Sequence, residues 1–453
     1  MSGYRLIHRE QVLDEDTAVW SLVTTPLLGT TTTKRTTITD LTSAAATTTT
    51  TAAAAAAAAW RVWAACSDGC IRSYVAQEVS LSQKEATLTA SALSFGQGPT
   101  HILEPTTKTK TSSSSSSSSS SITTKTSSST TTTTTTTTLG CTALSLCRNY
   151  TGEDDNAGNI MVAGMDLSGI VRIWELKQGL DDADSDDHGT AHSTQHVSAT
   201  VEFACPQATG TAMAMASPRS ILPHLGVLIV AVAYLDGTVS LVSTGIPVPN
   251  ATETNNNNKP SSLPEAGTVL ESWGSGSALA CRLVFRPNVA QIAVARQDGT
   301  VDLISVDQSQ RLHRLSQLVS APARAINFTA DGHLLIAGND QGRMVLWDVT
   351  RPNGIPAVVN HQVQATLPTS WLWQLASLDE RRFISLATDK TIRIWQVDQV
   401  HHQPLHSFTS SDDIRLWCIS CAALGSTSNP HPPRLVAGSE NGWLLVYSLV
   451  EKA

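Results

Sequence analysis

The chain has 453 residues with a formal net charge of −8 at pH 7, and 41% of its residues are hydrophobic. This acidic balance argues against direct binding of RNA or DNA, which normally requires a basic face. The longest apolar runs, 52–59 and 226–235, are far shorter than the roughly 18 residues of a membrane span, and Met1–Glu10 lacks the apolar core of a secretory signal. With eight cysteines, which we expect to be free thiols, these features favour an intracellular protein that does not bind a membrane.

Four tracts of biased composition interrupt the chain. They are rich in Thr and Ala, in Ser and Thr, in acidic residues, and in Asn, and they cover Thr30–Ala59, Thr106–Thr138, Leu180–His196 and Gly245–Thr268. Such sequences cannot fill a hydrophobic core. Because the closure entropy of a loop grows only slowly with its length, we expect loop insertions within a single domain that spans 1–453. The Ser/Thr tracts could be phosphorylated or could have no function, and the composition leaves both alternatives open.

A tight turn followed by alternating β-forming residues recurs seven times. Each copy has small apolar residues, then Asp with Gly or a substitute, then a period-two run such as Ile71–Tyr74 or Arg343–Trp347. Because an Asp-Gly pair readily supplies the positive φ of a tight turn, each copy predicts a β-hairpin. The turn residues that define the pattern are Asp68 and Gly69, Asp236 and Gly237, Asp298 and Gly299, Asp340 and Gly342, Asp389, and Gly442.

The spacing of the turns predicts the fold class. Positions 299, 342, 390 and 442 lie 43, 48 and 52 residues apart, which is close to the period of about 40–45 residues of a four-stranded propeller blade. Another short apolar strand precedes most hairpins, as in Ala18–Val23 and Leu416–Ser420. Seven such units predict an all-β, seven-bladed β-propeller. We expect Tyr4–His8 to form the outer strand of the seventh blade and so to close the ring.

The repeat, including two copies that end in Trp347-Asp348 and Trp395-Gln396, resembles the WD-repeat family across nearly the whole chain. Within that family it is similar to the small WD-repeat subunits of superkiller complexes, which also serve in the polymerase-associated transcription elongation complex. The stretches that carry this likeness are Arg9–Leu22, Ala321–Phe328, Ser370–Trp373, Ser385–Trp395 and Arg415–Trp417.

The resemblance implies a non-catalytic scaffold in exosome-linked 3′–5′ mRNA decay. Its implied partners are a large helical-repeat subunit and an RNA helicase of the superkiller complex, and in a second, nuclear role the subunits of the elongation complex. It also implies that the protein is both cytoplasmic and nuclear. The alternative is a WD-repeat adaptor of another complex, such as a cullin ubiquitin ligase.

Candidate partner-binding residues lie where the inner strands begin. They are Asp16, Pro322, Arg324, Trp371 and Arg415, and Trp and Arg are enriched at binding hot spots. If Trp371 and Arg324 share one face, they would suit a peptide that carries an Arg and an aromatic pair. Trp20, Trp373 and Trp417 lie within the inner strands, where packing between blades is the alternative to partner binding.

Catalytic and metal chemistry find little support. The Cys418–Cys421 pair has the spacing of a zinc half-site, but no second pair of ligands follows it. The acidic tract fails as a calcium loop because Gln195 stands where a bidentate Glu is required. No nucleophile elbow or phosphate-binding loop is visible, so we expect no enzyme, no metal and no cofactor.

Overall fold

A computed structural model describes residues 3–11, 17–26, 59–79, 92–95, 99–104, 141–150, 158–176, 194–205, 210–216, 226–248, 263–274, 276–351, 355–365, 370–399, 403–410, 414–422 and 434–450. Within these ranges the chain forms strands β1 to β30 and one short 3-10 helix, Val397–Gln399. The strands make seven sheets, which are numbered here as blades in chain order. The fold-class prediction, an all-β seven-bladed propeller, is confirmed.

The first three blades lie in the part of the sequence that carries the biased tracts. Blade 1 comprises β2 (Val19–Pro26), β3 (Ala59–Cys66), β4 (Ile71–Val79), β5 (Ala92–Phe95), β6 (His101–Glu104) and, from further along the chain, β10 (Gln195–Ser198). Blade 2 comprises β7 (Cys141–Tyr150), β8 (Gly158–Asp166), β9 (Ile170–Leu176) and β11 (Val201–Ala204). Blade 3 comprises β12 (Gly210–Met215), β13 (Val227–Tyr234), β14 (Val239–Pro247) and β15 (Val269–Trp273).

The remaining blades are regular four-stranded antiparallel sheets. Blade 4 comprises β16 (Ala280–Phe285), β17 (Gln291–Arg296), β18 (Val301–Ser305) and β19 (Gln310–Leu315). Blade 5 comprises β20 (Ala323–Phe328), β21 (Leu334–Asn339), β22 (Arg343–Asp348) and β23 (Ala357–Gln364). Blade 6 comprises β24 (Leu372–Ser377), β25 (Arg382–Ala387), β26 (Thr391–Gln396) and β27 (His406–Thr409). Blade 7 comprises β28 (Leu416–Ala422), β29 (Arg434–Ser439), β30 (Trp443–Val450) and β1 (Gly3–Gln11).

The ring is closed by the first strand. β1 pairs antiparallel with β30, from Gly3 opposite Val450 to Gln11 opposite Trp443. The inner strands β2, β7, β12, β16, β20, β24 and β28 each contact the inner strands of both neighbouring blades, and β2 contacts β28. This pairing of distant segments gives the outer edge of blade 7 a strand from the other end of the sequence and completes the ring.

The hydrophobic core lies between the blades. Ile173 of blade 2 packs with Val232 of blade 3, and Ile394 of blade 6 packs with Leu435 of blade 7. All eight residues of β13 are buried, because a central strand of a blade is covered on both faces by its neighbours. This explains why such strands are apolar without strict alternation.

The turns between the second and third strands have the geometry that the sequence predicts. Gly237 and Gly299 adopt φ of 82° and 79°, and Lys390 holds the same position in blade 6 at 63°. Asp236 and Asp298 each accept a hydrogen bond at 2.9 Å from the backbone N–H two residues later, as short polar side chains do in tight turns. Asp68 and Asp389 act in the same way, with distances of 3.0 and 3.1 Å, and Gly69, Gly342 and Gly442 also have positive φ.

The turn of blade 5 differs from the prediction. Asp340 does not stabilise its own turn, because it lies two residues before Gly342, whereas the Asp of a regular turn directly precedes the Gly. Asn339 replaces it, accepting hydrogen bonds from the N–H groups of Gln341 and Arg343 at 3.1 and 3.0 Å. The carboxylate of Asp340 instead accepts the Nε–H of Arg324.

Strands extend into three of the four biased tracts. Ala59 opens β3, and β14 continues to Pro247. β10 uses the end of the acidic tract and pairs in parallel with β6 of blade 1, with His196 and Glu104 in contact at 2.8 Å. Backbone pairing with neighbouring strands explains these differences, because it does not depend on an apolar side chain at every position. Most of each tract lies outside the described residues.

Candidate functional site

One face of the propeller carries both the seven turns and the beginnings of the inner strands. In every blade the first residue of the inner strand pairs with the last residue of the second strand, as Ala323 does with Asn339 and Leu372 with Ala387. Backbone bonds of 3.0 Å join the two features, from the N–H of Asp340 to the carbonyl of Pro322 and from Thr388 to Trp371. We call this side of the molecule the entrance face.

Each inner strand has an irregularity in its pairing at its second residue. The seven residues at this position, in blade order, are Trp20, Thr142, Thr211, Cys281, Arg324, Trp373 and Trp417. All seven are partly exposed. A β-bulge redirects a side chain out of the regular alternation, so these residues, which we call the bulge ring, surround the mouth of the central channel.

Three tryptophans of blades 6 and 7 form a continuous cluster at this mouth. Trp371 is 43% exposed and lies in a stacked arrangement with Trp373, with ring centroids 6.4 Å apart and planes inclined by 13°. Trp373 meets Trp417 edge to face at 5.0 Å and 70°. We call these three residues the aromatic arc. Such offset and edge-to-face contacts stabilise aromatic pairs and fix their orientation.

The predicted alternative of core packing for the tryptophans of the inner strands applies only in part. Trp20, Trp373 and Trp417 are half-buried at bulges and not enclosed between blades. The tryptophans that fill the core are others, all nearly or completely buried: Trp60, Trp63, Trp174, Trp347 and Trp395.

Arg324 joins blade 5 to the aromatic arc. It is the second residue of β20, at the bulge, whereas the sequence prediction placed it just before the strand. Its guanidinium carbon lies 4.9 Å from the centroid of the Trp371 ring, within range of a cation–π contact. Its Nε–H is shared between both carboxylate oxygens of Asp340 at 2.8 Å. Burial raises the pKa of the Asp340 carboxyl above its ordinary value although Arg324 opposes that shift.

The other three predicted partner-binding residues differ in their surroundings. Pro322 is half-buried, and its carbonyl accepts the N–H of Asp340. Arg415 is exposed, two residues before Trp417, and forms no ion pair with any described residue, while its carbonyl accepts the N–H of Glu440 at 3.1 Å. Asp16 lies outside the described residues.

Arg282, which the sequence interpretation missed, lies one residue past the bulge in blade 4. Its Nη1 donates to the carbonyl of Trp373 at 3.4 Å, so the side chain reaches past blade 5 to blade 6. Burial lowers the pKa of the Arg282 guanidinium. The signal that could have revealed Arg282 is a long charged side chain at a position where small residues prevail. Five of the other six inner strands carry a small residue or Cys there: Ser21, Ala143, Ala212, Ala325 and Cys418.

A network of three charges, two of them buried, stabilises blade 4 below the entrance face. Arg296 is completely buried, donates to Asp302 at 2.6 Å, and also donates to the carbonyls of Gly237 in blade 3 and Ala278 at 2.8 Å. Arg314 donates to the same carboxylate at 2.7 Å. Burial alone would raise the pKa of the Asp302 carboxyl, but the hydrogen bonds and charges of the two arginines outweigh burial and hold it below its ordinary value. We call Arg296, Asp302 and Arg314 the blade 4 triad.

Metal and thiol chemistry has no assembled site in the described part of the chain. No group of three or more His, Cys, Asp or Glu side chains there could hold a metal ion. The Cys418 and Cys421 thiols are free, and burial raises the pKa of both, for Cys421 to about 12. The described residues contain no helix with the length and hydropathy needed to cross a bilayer.

Similarity to known proteins points to one type of repeat. No protein-family model matches the chain. It is 28% identical to WD repeat-containing protein 55 of Rattus norvegicus over 100 residues, which are 22% of this chain and 26% of that protein. It is 30% identical to the Protein LST8 homolog of Drosophila melanogaster over 124 residues, 25% of this chain and 36% of that protein. It is 25% identical to the Target of rapamycin complex subunit wat1 of Schizosaccharomyces pombe over 121 residues, 26% of this chain and 38% of that protein.

These matches cover well under two thirds of each relative, so they bear on the repeat and not on a whole protein. The seven blades, the repeated turn and the three matches together support placing the chain in the WD-repeat family.

Proposed function

We propose that this protein is a non-catalytic scaffold that binds a short segment of a partner protein on its entrance face. The observation that carries the proposal is the aromatic arc together with Arg324. Five tryptophans are enclosed in the core, whereas Trp371, Trp373 and Trp417 lie together at the channel mouth. Contiguous exposed apolar surface of this kind marks interaction sites, and Trp and Arg are the residues that contribute most to binding.

The contacts of the site favour tight binding because its side chains are already held in place. Arg324 is oriented by Asp340 on one side and by the ring of Trp371 on the other. Trp373 is held between two other rings. Little rotamer freedom then remains to be lost when a partner docks, which reduces the entropic cost of association.

As the finer proposal, the complex is a superkiller complex, in which the chain would hold a large helical-repeat subunit and an RNA helicase during exosome-linked 3′–5′ mRNA decay. Its support is the resemblance in stretches such as Ala321–Phe328 and Ser370–Trp373, which include Arg324 and Trp371. The net charge of −8 agrees with a subunit that holds proteins while others hold RNA. Roles in the polymerase-associated elongation complex, and both cytoplasmic and nuclear localisation, belong to the same proposal.

A second candidate is a subunit of a target-of-rapamycin complex. It is favoured by the similarity to a protein that is named as a subunit of that complex, 25% identical over 121 residues. The cullin adaptor remains a third alternative. All three candidates share the scaffold role and differ in the partners.

Affinity purification of the tagged protein from its own cells, with nuclease treatment and mass spectrometry, tests both the scaffold role and the identity of the complex. Recovery of an RNA helicase with a large helical-repeat protein supports the superkiller assignment, whereas a target-of-rapamycin kinase or a cullin adaptor would overturn it. The scaffold role is tested with Trp371→Ala and Arg324→Ala, which we expect to lose the main partner. Val359→Ala, an exposed apolar residue on the outer strand of blade 5, is the matched control. If both entrance-face variants retain every partner at the wild-type yield, the proposed site is wrong.

A further inference from the structure

A second group of exposed apolar residues lies on the entrance face, on blades 2, 3 and 4. The residue that directly follows the second strand opens the turn of each blade. In five blades this residue is polar: Ser67, Gln297, Asp340, Thr388 and Glu440. In the adjacent blades 2 and 3 it is Leu167 and Leu235, which are 47% and 54% exposed. The repeat therefore gives no structural reason for leucine at this position.

Blade 4 adds a third aliphatic side chain. Val319 is 54% exposed and lies in the connection that leads into blade 5. The Cα of Val319 is 2.7 Å from where a Cβ on Gly299 would stand, so the residue lies directly against the turn of blade 4. We call Leu167, Leu235 and Val319 the aliphatic arc. Blades 2 and 3 are in contact through β7 and β12, and blades 3 and 4 through β12 and β16.

Two turn carboxylates that form no salt bridge with a described residue accompany the aliphatic arc, and the charge of Arg314 acts on one of them, Asp298. Asp236 and Asp298 are exposed, and neither forms an ion pair with a described residue. On other blades the carboxylates of the turns are neutralised, as in the pairs Asp68–Arg72 at 2.5 Å and Asp389–Arg393 at 3.2 Å. These two carboxylates are held in place by their turns, because each accepts the backbone N–H of the Thr two residues later.

We infer that the aliphatic arc, with Asp236 and Asp298, is a second docking surface, and that its occupant is a protein segment in which basic side chains alternate with large apolar ones. The apolar side chains would cover Leu167, Leu235 and Val319, and the basic groups would pair with the two carboxylates. Charge complementarity selects this partner, because an acidic segment would meet unpaired carboxylates. The inference shares with the proposed function only the use of the entrance face, since it involves none of the residues of the aromatic arc.

The test uses fluorescein-labelled peptides of twelve residues and measures their anisotropy with the full-length protein. The probe alternates Lys and Leu, and its two controls alternate Lys with Ser and Glu with Leu. We expect the Lys-Leu peptide to bind at least about tenfold more tightly than either control, because each control removes one of the two complementary features. Salt should weaken its binding, as it does for exposed charge pairs.

Variants of the protein separate this surface from general attraction to an acidic chain. Leu167→Ser with Leu235→Ser, and Asp236→Asn with Asp298→Asn, should each weaken the Lys-Leu peptide about five- to tenfold. Asn preserves the turn because its side-chain oxygen still accepts the backbone N–H. The charge control is Glu380→Gln with Asp398→Asn. It removes two exposed carboxylates, one just before β25 and one just after β26, at the ends of these strands that lie away from the entrance face.

The outcomes distinguish this inference from the proposed function. Trp371→Ala should leave binding of the Lys-Leu peptide unchanged, even if it abolishes capture of the main partner. The inference is overturned if both double variants on blades 2 to 4 bind the peptide as the wild type does. It is equally overturned if the charge control, Glu380→Gln with Asp398→Asn, weakens binding as much as the two double variants do.

Discussion

The two halves of the entrance face share one backbone and differ in their side chains. In blades 5 to 7 the bulge ring consists of Arg324, Trp373 and Trp417, whereas in blades 2 to 4 it consists of small residues and Cys281. The same irregularity occurs in all seven inner strands, so it belongs to the repeat. The identity of the side chain does not, and the large surface residues are concentrated on one side. Function in this molecule is therefore expected where equivalent positions differ, not where they agree.

Blades 2 and 4 teach a related lesson about stability. In blade 2, Asp166 closes the second strand and pairs with Arg172 at 2.8 Å, which in turn pairs with Glu202 at 3.1 Å. These three residues occupy the positions of the blade 4 triad with every charge reversed. In these two blades a matched set of charges occupies the same places, and the pairing is satisfied with either arrangement of sign.

The largest expected effect comes from breaking the blade 4 triad. Arg296→Met should lower the free energy of unfolding by about 3–5 kcal/mol, because it leaves a buried carboxylate with one partner fewer and removes the donor to the carbonyls of Gly237 and Ala278. Denaturant unfolding followed by fluorescence measures the loss. Arg311→Met, at an exposed position of the same blade, should cost less than about 0.5 kcal/mol. Equal losses in the two variants would contradict the role of the triad.

Removing the aromatic arc should affect binding and not stability. Trp371→Ala should weaken the main partner by about 2 kcal/mol, roughly 30-fold, because an exposed Trp in a preorganised cluster acts as a hot spot. Thr142→Ala changes the bulge ring in blade 2 and should leave that affinity unchanged. Titration calorimetry with the recovered partner measures both. A similar loss in the two variants would show that the halves of the face do not differ in function.

The depressed pKa of the Asp302 carboxyl predicts a dependence of stability on acid pH. A carboxyl whose pKa is lowered in the folded state stabilises fully above its unfolded value of about 3.9 and progressively less as the pH falls through its folded value. The free energy of unfolding should therefore fall below about pH 4, by roughly 1.4 kcal/mol for each unit of pKa depression. Asp302→Asn should make this fall shallower. An unchanged slope would show that the carboxyl is not held in its charged form.

The smallest effect concerns the one turn among those discussed that places a residue other than Gly at positive φ. Lys390 adopts φ of 63°, where Gly237 and Gly299 stand in other blades. Lys390→Gly should raise the free energy of unfolding by about 0.5 kcal/mol, because the relief of left-handed backbone strain outweighs the entropy that Gly adds to the unfolded chain. Thermal unfolding at fixed pH detects the change, and a clear loss of stability would contradict the role assigned to backbone strain.

The sequence predicts the fold well because its signals are local. A turn such as Asp298-Gly299 and the alternating residues after it specify a hairpin within ten positions, and seven hairpins specify the architecture. Trp371, a candidate binding residue in the sequence, lies exposed directly before β24, which begins at Leu372.

Other features depend on contacts between distant segments and could not be predicted. The bulges arise where an inner strand is fitted to the second strand of its own blade. The reach of Arg282 to the carbonyl of Trp373 and the pairing of β10 with β6 join residues about ninety positions apart, and no local pattern records such contacts. In the sequence, the members of the blade 4 triad appear only as charged residues of three separate strands.

The most direct test of the central claim is to place a photo-crosslinking amino acid on the entrance face. A benzophenone-bearing residue at position 371 should form a covalent adduct with the main partner in cell extract when irradiated. The same residue at position 359, on the outer strand of blade 5, should not. Adduct formation at 371 alone is the result predicted here. Equal adducts at both positions, or an adduct at 359 alone, would contradict the assignment of the aromatic arc as the partner-binding site.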